Sequence, residues 1–322
     1  MSEVWLITRS LTNEIASNLT IEQSLKNDYA MTDEDTYTRE YYTEPLKIKA
    51  GLNSLGVSCE FKRARQDLIS PEYLRLTSNP PKLVMDCFPP WYYLTNHYQN
   101  LITLKEMGIK IVNDPIVHKL CTNKWEYQQV LEKEKIPTIK SISFKLPIVD
   151  ESVELIESTI GYPVVIKPVY GSLSRGVMKC NNPDDVWVAC SKIFKLHNKP
   201  KDVIVQKWVD HSVNGVLRIQ MIAGNIVACS QRRPNYETDF FYSGRIENSI
   251  RIEYKLTQKL IDYCRSIYYA LDKIDICAMD VLHDGENYVV CDINSPGTFR
   301  ALDMCLNTDI GKLIAEHLVS KL

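Results

Sequence analysis

PVVIKPVYGSLSRGV, which spans Pro163–Val177, combines an apolar strand, a lysine and a turn between two glycines. The strand buries the aliphatic stem of Lys167 and carries its ammonium group to the strand end. Glycines allow backbone N–H groups to approach an anion closely, and hydroxyl and guanidinium groups add further donors. The loop residues that offer such groups are Gly171, Ser172, Ser174, Arg175 and Gly176. The stretch therefore predicts a phosphate-binding hairpin, although a plain hairpin turn with an incidental lysine also fits it.

The composition of the 322-residue chain is that of an ordinary globular protein. Single hydrophobic cores rarely grow beyond about 250–300 residues, so we expect two or three lobes. A formal net charge of −2 with 45% hydrophobic residues excludes a disordered tail or a general polyanion binder. We therefore expect no nucleic-acid partner, and binding sites must be argued from local clusters of residues.

The first residues, MSEVWLITRS, contain neither a signal-peptide core nor the roughly 20 apolar residues that span a membrane. We expect a soluble, cytoplasmic protein without a membrane partner. The ten cysteines form no Cys-x-x-Cys pair and lie mostly within apolar runs. This pattern favours buried free thiols over a thiolate metal site.

Residues 1–113 alternate short apolar strands with helical periodicity, which predicts a small parallel α/β domain. The predicted strands are Val4–Ile7, Val57–Phe61, Leu83–Cys87 and Ile109–Val112, and the predicted helices are Pro45–Leu55 and Tyr92–Met107. Asn27–Glu44 is acidic, rich in tyrosine and without apolar periodicity. It predicts a long loop, which is either a lid over a site or a plain solvated insertion.

The rest of the chain divides into a central lobe, residues 114–202, and a C-terminal lobe, residues 203–322, which should be α+β. In the central lobe the periodicity predicts strands at Ile139–Phe144, Val164–Lys167 and Val177–Lys179, and helices at Thr122–Lys135, at Val153–Thr159 and after Pro183. In the C-terminal lobe it predicts strands at Val203–Gln206, Val216–Ile222, Ile226–Ser230, Ala278–Leu282 and Tyr288–Ile293, and helices at Leu256–Leu271 and Asp309–Lys321. Thr122 and Thr308 are the expected N-caps.

Two predicted strands near the C-terminus carry acids. Asp280 is flanked by apolar residues, while Asp292 and Asn294 lie two residues apart and hence on one face of their strand. Paired as a hairpin, the strands bring the three side chains together. Two carboxylates and a carboxamide are hard oxygen donors that suit Mg²⁺, with Mn²⁺ as a substitute. We therefore predict a metal site, against the alternative of structurally satisfied aspartates.

Guanidinium groups form a third element of the predicted site. Arg218 lies within a predicted strand, Arg232 follows one, and Arg300 comes just after Ser295-Pro-Gly-Thr298. Fixed guanidinium groups can stabilise a phosphoryl group in transfer or clamp a carboxylate. Each arginine taken alone fits an ordinary surface position better than a binding site. Together, in the lobe that carries the acids, they indicate an anion site.

These elements, in this order, resemble the RimK-like carboxylate–amine ligases of the ATP-grasp superfamily, to which glutathione synthetase is related. The resemblance covers about residues 80–322. It implies an ATP-grasp fold preceded by a Rossmann-like pre-ATP-grasp domain. It assigns Lys124 and Lys167 to the phosphates of ATP, and the hairpin Gly171–Val177 to a cover over the triphosphate. The adenine-side hinge would comprise Gln206, Lys207, Trp208 and Val209, with the backbone of Lys207 and Trp208 pairing with the base.

The sequence departs from the pattern of these ligases in the hinge, the ribose site, the metal site and a substrate loop. Lys207 replaces an acid of the hinge, Val216 replaces an acid that contacts ribose, and Asp292 replaces a glutamate of the metal site. Phe241 and Ser243 occupy positions where related ligases often carry arginine and asparagine. The shorter side chain of Asp292 predicts a metal closer to the strand or an additional water ligand.

The resemblance implies an ATP- and Mg²⁺-dependent ligase that forms an amide bond through an acyl-phosphate. Its substrates would be a small-molecule or peptide carboxylate and an amine, with a free amino acid such as glutamate expected from the family. Arg232, with Arg218 or Arg300, would stabilise the transferred phosphoryl group.

Two other functions fit the same residues. One is an inositol phosphate kinase on the same fold, whose motifs resemble Asp292–Asn294 and Gln206 with His211. The other is a nucleotide-binding module that has lost catalysis. The sequence also leaves the oligomeric state open, a homo-oligomer included.

Overall fold

The computed structural model describes residues 3–8, 17, 20, 23, 43–63, 74, 79–87, 95–171, 174–195, 202–210, 215–234 and 249–322. Within these ranges the chain forms three β-sheets accompanied by helices, which agrees with the predicted mixed α/β class. None of the helices described there combines the length and the hydropathy needed to cross a bilayer. The ten cysteines are free thiols and most are buried, as predicted.

The first sheet is parallel, as predicted, with the strand order β2-β1-β3-β4. Its strands are β1 (Val4–Thr8), β2 (Cys59–Arg63), β3 (Leu83–Asp86) and β4 (Lys110–Val112). The helices of this region are α1 (Thr43–Ser54) and α2 (Thr95–Glu106). Every residue of β1 is buried, as expected of a parallel strand covered on both faces.

The structure corrects the end of the predicted loop Asn27–Glu44. Thr43 and Glu44 form the first turn of α1, and both are buried. An acid in the first turn is favoured by the partial positive charge at the N-terminus of a helix. Residues 27–42 lie outside the described ranges, so the choice between a lid and a plain insertion stays a prediction.

Two short helices occupy this part of the chain, and the sequence predicts only the second of them, as Thr122–Lys135. The first, α3 (Pro115–Thr122), begins after Asp114, which accepts a hydrogen bond from Ile116 N at 2.9 Å. The second, α4 (Lys124–Lys133), is capped by Asn123, whose Oδ1 accepts from the backbone N–H groups of Trp125 and Glu126, each at 3.1 Å. The predicted N-cap at Thr122 is therefore wrong, because the adjacent asparagine satisfies the helix end.

The central sheet has the order β5-β8-β6-β7, and its strands pair antiparallel. The strands are β5 (Ser141–Lys145), β6 (Val164–Pro168), β7 (Met178–Cys180) and β8 (Asp202–Lys207). Helices α5 (Asp150–Thr159) and α6 (Pro183–Lys195) bury their apolar faces in the core of this lobe. The opening stretch thus forms the predicted hairpin, with β6 and β7 as its arms.

The position of β8 corrects the prediction that Val203–Gln206 belongs to the C-terminal sheet. This strand lies between β5 and β6 and pairs with both. Its central position explains its apolar sequence, since Val203, Ile204 and Val205 are fully buried. The central sheet therefore crosses the predicted boundary at residues 202/203. The division into domains 1–113, 114–202 and 203–322 otherwise stays a prediction.

The C-terminal sheet is antiparallel with the order β11-β10-β9-β12-β13. Its strands are β9 (Val216–Ile222), β10 (Asn225–Pro234), β11 (Ser249–Glu253), β12 (Ile276–His283) and β13 (Tyr288–Asn294). Helix α7 (Gln258–Ala270) shares a core with one face of this sheet. The opposite face carries the polar residues of the candidate site.

Two helices complete the chain. The sequence pattern does not predict α8 (Arg300–Leu306), a short helix that packs against β10 and β11. The last helix, α9 (Ile310–Ser320), is capped by Asp309, which accepts from Lys312 N at 3.1 Å. The predicted N-cap at Thr308 is one residue too early, because the carboxylate of Asp309 satisfies this helix end.

Helix α9 returns to the start of the chain and packs against α1. Glycine in each helix permits the close approach. A Cβ atom added to Gly51 would lie 2.8 Å from the Cβ of Ala315, and one added to Gly311 would lie 2.6 Å from the Cβ of Lys47. The first domain and the C-terminal lobe therefore share one hydrophobic core.

A buried polar network also connects the first sheet to the C-terminal sheet. Asp86, at the end of β3, lies 2.5 Å from His97 Nε2 and 3.4 Å from His118 Nε2. His118 Nδ1 is 2.9 Å from the hydroxyl of Ser295, which also accepts a hydrogen bond from Asn113 at 2.7 Å. Ser295 directly follows Asn294, so this network fixes the chain next to the predicted metal site.

We expect the Asp86–His97 pair to give the free energy of unfolding a bell-shaped pH dependence. Burial alone would raise the pKa of Asp86 and lower that of His97, but their mutual attraction reverses both shifts. The contribution of Asp86 is complete above about pH 4 and disappears as acid protonates the folded state. The contribution of His97 is complete below about pH 6.5 and disappears as the pH rises through its raised pKa.

Urea denaturation between about pH 2 and pH 9 covers both arms of this dependence. His97→Gln should flatten the loss of stability on the alkaline side, whereas His283→Gln, a control at the partly exposed β12–β13 turn, should leave the profile unchanged. A profile for His97→Gln that follows the original protein at every pH would show that the pair does not contribute.

Candidate active site

One face of the C-terminal sheet brings the predicted metal ligands together. Asp280 of β12 lies directly opposite Asp292 of β13 and, on its other side, opposite Arg218 of β9. Asn294 is two residues beyond Asp292, and its amide nitrogen lies 3.3 Å from Asp292 Oδ2. The hairpin therefore places the oxygen atoms of all three side chains within one small region.

The oxygen atoms of this trio suit a divalent cation. Asp280 is buried, with Oδ2 at 3.3 Å from Arg218 Nη1 and with no hydrogen-bond partner for Oδ1 among the described residues. A buried carboxylate oxygen without a partner is costly unless an ion or a water completes it. Among the described residues, no three His, Cys, Asp or Glu side chains are placed to hold a metal ion by themselves, so Asn294 would be the third donor. Carboxylates and a carboxamide, with water and phosphate as further ligands, fit Mg²⁺.

Two buried lysine ammonium groups face these acids from the central lobe. Lys124, the first residue of α4, donates to Gly171 O at 2.7 Å and lies 3.5 Å from Asp292 Oδ1. Lys167, on β6, donates to Cys291 O at 2.7 Å. Both lysines are less than a tenth exposed. The opening hairpin and the acid-bearing hairpin thus meet across a cleft that holds charges of both signs.

The charges in the cleft influence one another. Burial alone would raise the pKa of Asp292, but the positive charges of Lys124, Lys167 and Arg218 hold it below its ordinary value. Burial lowers the pKa of Lys167 although the neighbouring acids act in the opposite direction. Asp292 is therefore ionised at neutral pH. Its lysine partners are placed where nucleotide phosphates and a cation could satisfy both sets of charges.

The glycine loop of the opening stretch has the backbone geometry of a tight turn. Ser174 and Gly176 both have positive φ, at 56° and 73°. A Cβ atom on Gly176 would lie 3.1 Å from Pro168 and 3.2 Å from Ile193, so glycine is required there for space as well as for φ. Arg175 is half-buried, and the carbonyl oxygen of Gly171 holds Lys124. Ser172 lies outside the described residues, and its role stays a prediction.

Two backbone N–H groups of the predicted hinge donate hydrogen bonds to other parts of the protein. The N–H of Lys207 donates to Lys140 O at 2.9 Å, and the N–H of Trp208 donates to Pro163 O at 3.1 Å. These two N–H groups are therefore bonded within the protein. Pairing of a base with the backbone of Lys207 and Trp208 would have to use their carbonyl oxygens, and it stays a prediction.

The side chains of the hinge also have partners within the protein. Lys207 Nζ donates to the carbonyl oxygens of Gly161 and Tyr162 at 3.2 and 3.1 Å, whereas related ligases carry an acid at this position. Lys179 Nζ lies over the ring of Trp208, 4.4 Å from the ring centroid. Lys207 therefore fixes the loop before β6, and Lys179 and Trp208 form one wall beside the hinge.

The three predicted arginines all lie on the site side of the C-terminal sheet, in different environments. Arg218 bridges Asp280 and Thr298 O, to which it donates at 2.9 Å. Arg232, on β10, is buried, and this burial lowers its pKa against the attraction of Asp280. Arg300 is buried at the start of α8, and its backbone N–H lies 3.4 Å from Glu44 Oε1. Arg218 and Arg232 thus belong to the acid cluster, while Arg300 lies at its margin.

Comparison with known protein families matches residues 121–318 to the RimK-like ATP-grasp domain. The match covers more than half of the chain and contains both lysines, the hinge, the acids and the arginines of the candidate site. The chain belongs to the RimK-like ATP-grasp family. It is therefore a ligase of the class that forms carbon–nitrogen bonds, which confirms the predicted family, fold and enzyme class.

Two of the related proteins match the whole chain, and a third matches most of it. N-acetylaspartylglutamate synthase A of Mus musculus is 23% identical over 333 residues, which is 100% of this chain and 79% of that protein. Beta-citrylglutamate synthase B of Danio rerio is 23% identical over 337 residues, again 100% of this chain and 74% of the relative. Coenzyme gamma-F420-2:alpha-L-glutamate ligase of Methanococcus maripaludis is 26% identical over 230 residues, 69% of this chain and 75% of that protein.

Solved structures of RimK-like and other ATP-grasp proteins share the fold. The RimK domain protein of Sphaerobacter thermophilus superposes with a TM-score of 0.66 at 14% identity, covering 98% of this chain and 99% of that one. D-alanine–D-alanine ligase of Bacillus anthracis, in complex with ATP, gives a TM-score of 0.66 at 13% identity, covering 97% and 94%. The ATP-grasp ligase PsnB, with Mg and ADP, gives 0.64 at 14% identity, covering 99% and 97%. ATP-grasp neighbours of this chain thus bind ATP or ADP, and one binds Mg.

The family assigns Gln206 to the hinge, but its side chain points into a buried network. Gln206 Nε2 donates to Gln128 Oε1 at 2.8 Å and to Ser141 Oγ at 3.0 Å. Gln128 in turn donates to Ile139 O at 2.6 Å. This network joins α4 to the central sheet, which indicates that the Gln206 side chain stabilises the fold.

We expect Gln206→Ala to lower the free energy of unfolding by about 1–3 kcal/mol, because it leaves buried polar partners unsatisfied. The dissociation constant of ATP should change by less than about threefold, or about 0.7 kcal/mol. Urea denaturation and ATP titration measure the two quantities. Gln129→Ala, which truncates an exposed glutamine of α4, is the control. A large loss of ATP affinity with unchanged stability would instead support a cofactor role for this side chain.

Several residues of the site are not predicted from the sequence. Gly297 has φ of 84°, and a Cβ atom there would lie 2.4 Å from the Cβ of Ala278. The turn after β13 therefore passes close to β12, and in this position Thr298 O accepts a hydrogen bond from Arg218. The Ser295-Pro-Gly sequence indicates a turn but not its partner. Arg251, on β11, is opposite Arg232. The sequence indicates the strand that carries Arg251 through the alternation Ser-Ile-Arg-Ile-Glu, which is typical of a strand.

Proposed function

We propose that this ligase joins the amine of glutamate to a carboxylate of a small acid, using ATP and Mg²⁺. The observation that carries the proposal is the opposition of two buried ammonium groups, of Lys124 and Lys167, to Asp280 and Asp292 across one cleft. Such an arrangement suits a nucleotide triphosphate with a cation between phosphate and carboxylate. Relatives named for the synthesis of N-acetylaspartylglutamate and beta-citrylglutamate support glutamate as the amine.

The reaction has two steps. A carboxylate oxygen of the acid attacks the γ-phosphorus of ATP, the bond from that phosphorus to the β–γ bridging oxygen breaks, and ADP leaves. The amine of glutamate then attacks the carbonyl carbon of the acyl-phosphate, the carbon–oxygen bond to phosphate breaks, and inorganic phosphate leaves with release of a proton. The products are an amide, ADP and phosphate, so atoms and charges balance.

The residues of the cleft divide this work. We assign Lys124 and Lys167 to orienting the phosphates, and the loop Gly171–Val177 to covering them. Arg232 and Arg218, with Arg300 at the margin, would stabilise negative charge on the phosphoryl group as it is transferred. Asp280, Asp292 and Asn294 would hold Mg²⁺, or Mn²⁺ in its place, and the ion supplies neutralisation of phosphate charge.

Hydroxylamine trapping tests the proposal. The protein is incubated with ATP, Mg²⁺, hydroxylamine and a panel of carboxylic acids, and the hydroxamate is measured by its ferric complex. We expect an acid-dependent hydroxamate, and ADP in equal amount. Phosphorylation of an inositol phosphate without hydroxamate would instead support the kinase, and ATP binding without any turnover would support a non-catalytic module.

A further inference from the structure

Asn294 can offer its amide oxygen to the cation of the proposed metal site. Its amide nitrogen faces Asp292 Oδ2 at 3.3 Å, and an ionised carboxylate only accepts hydrogen bonds, so the nitrogen rather than the oxygen occupies that side. The carboxamide oxygen is then left for a cation. The pairing of β13 with β12 ends at Asn294. The direction of this oxygen therefore depends on what holds the residues that follow.

Asn113 takes the place of the strand partner that β12 loses where β13 ends. Its side chain accepts a hydrogen bond from Ile276 N and donates one to Ile276 O, both at 2.7 Å. In the register of the β12–β13 hairpin the partner of Ile276 would be Pro296, which has no N–H group to donate. Asn113 supplies both groups instead, and its amide nitrogen also donates to Ser295 Oγ at 2.7 Å. The residue after Asn294 is thus tied to the end of β4.

His118 holds Ser295 from a second direction. Since Asn113 donates to Ser295 Oγ, the hydroxyl hydrogen can point at His118 Nδ1, which lies 2.9 Å away. The other ring nitrogen, Nε2, faces Asp86 Oδ2 at a longer distance of 3.4 Å. A carboxylate beside Nε2 favours the tautomer that carries its hydrogen there, and in this tautomer Nδ1 accepts. The hydroxyl of Ser295 therefore has a donor on one side and an acceptor on the other.

The side chains that hold Ser295 come from the first part of the chain. Asp86 ends β3, Asn113 follows β4 and His118 lies on α3. All three, and Ser295 itself, are less than a tenth exposed. Buried hydrogen-bond networks of this kind restrict their members to one arrangement. The position of Ser295 is therefore fixed by residues that lie far from it in the sequence.

We propose that Asn113 and His118 are positioning residues of the metal site. Through Ser295 they hold Asn294 with its amide oxygen toward the cation, although neither side chain is itself a ligand. Replacing a group that orients a metal ligand typically weakens metal binding about 10–100-fold. This inference rests on the proposed Mg²⁺ site and names residues of the first part of the chain that serve it.

Mn²⁺ binding to the complex of the protein with ADP tests the inference without turnover. Free Mn²⁺ is measured by its electron paramagnetic resonance signal, below the unfolding temperature of each variant. Ser295→Ala and His118→Leu should each raise the dissociation constant of Mn²⁺ about tenfold. His118→Asn should recover part of the loss, because its amide oxygen can still accept from Ser295. Ser266→Ala, the control, removes a hydroxyl of α7 that donates to Tyr263 O at 2.7 Å, and it should leave Mn²⁺ affinity unchanged.

Thermal unfolding of the same variants separates positioning from a purely structural role. A structural role alone would lower the unfolding temperature of Ser295→Ala and keep its Mn²⁺ dissociation constant within about twofold of the original value, which would overturn the inference. If His118→Leu does not fold, the same comparison for Ser295→Ala decides the question.

Asp280→Asn is the reference for the metal site itself. It should weaken Mn²⁺ binding more than Ser295→Ala does, because it removes a charged ligand. If the original protein binds no Mn²⁺ with ADP present, or if Asp280→Asn binds it equally well, the proposed metal site is wrong and the positioning role falls with it. A site that depends on Asp280 but not on Ser295 or His118 would contradict the positioning role alone.

Discussion

We expect Asp280→Asn to lower the rate of ADP formation on the order of 10³-fold, the scale seen when a charge that stabilises the transition state is removed. The carboxylate has one oxygen beside Arg218 and one without a hydrogen-bond partner among the described residues, so it has an oxygen to offer a cation. Asparagine keeps the shape but loses the charge, and the cation that neutralises phosphate is then held less tightly. Coupled ADP detection across a Mg²⁺ titration measures the loss and the accompanying shift in Mg²⁺ requirement.

Asp262→Asn is the matched control for this prediction. Asp262 is an exposed acid on α7, and its replacement removes the same charge far from the cleft. Its activity and its Mg²⁺ requirement should match those of the original protein. Because Asp280→Asn also removes the ion partner of Arg218, urea denaturation must accompany the assay. Full turnover by folded Asp280→Asn would show that the metal site is elsewhere.

We expect Lys167→Met to weaken ATP binding about 100-fold, which corresponds to about 2.8 kcal/mol. The buried ammonium donates to Cys291 O in the protein without nucleotide, and it is expected to add charge-assisted hydrogen bonds to phosphate when ATP binds. Methionine fills a similar volume without the charge. Since burial already disfavours the charged form of Lys167, its removal should cost little folding stability.

Equilibrium binding of ATP, with thermal unfolding in parallel, measures both effects of Lys167→Met. Lys192→Met, which removes an exposed lysine from α6, controls for the loss of one positive charge. An unchanged ATP affinity in Lys167→Met would remove this lysine from the nucleotide site. A large loss of stability would show that its bond to β13 is mainly structural.

Local signals in the sequence were sufficient for the hairpins that build the site. The alternation on both sides of Asp284-Gly285 predicts β12 and β13, and pairing them fixes Asp280 beside Asp292. The apolar run before Lys167 similarly predicts β6 and its hairpin partner. Each of these features depends on residues close together in the chain, so periodicity and turn chemistry determine it.

Features that depend on distant residues were not predicted. An apolar run such as β8 indicates a buried strand but not its sheet, and its pairing with β5 and β6 depends on residues up to 65 positions away. The Gln206 side chain could bind a nucleotide or a buried partner, and only the position of Gln128 decides between them. Arg251 looks like an ordinary exposed arginine until β11 is placed beside β10. Caps at Asn123 and Asp309 differ from the predicted ones because adjacent polar residues compete for one helix end.

The transfer of oxygen from acid to phosphate tests the central claim most directly. The acid that gives hydroxamate is labelled with ¹⁸O in its carboxylates and incubated with ATP, Mg²⁺ and glutamate, and the released phosphate is analysed by mass spectrometry. Formation and aminolysis of an acyl-phosphate predict one ¹⁸O atom in each phosphate released. Phosphate without ¹⁸O, formed together with the amide or without it, would contradict a ligase that works through an acyl-phosphate.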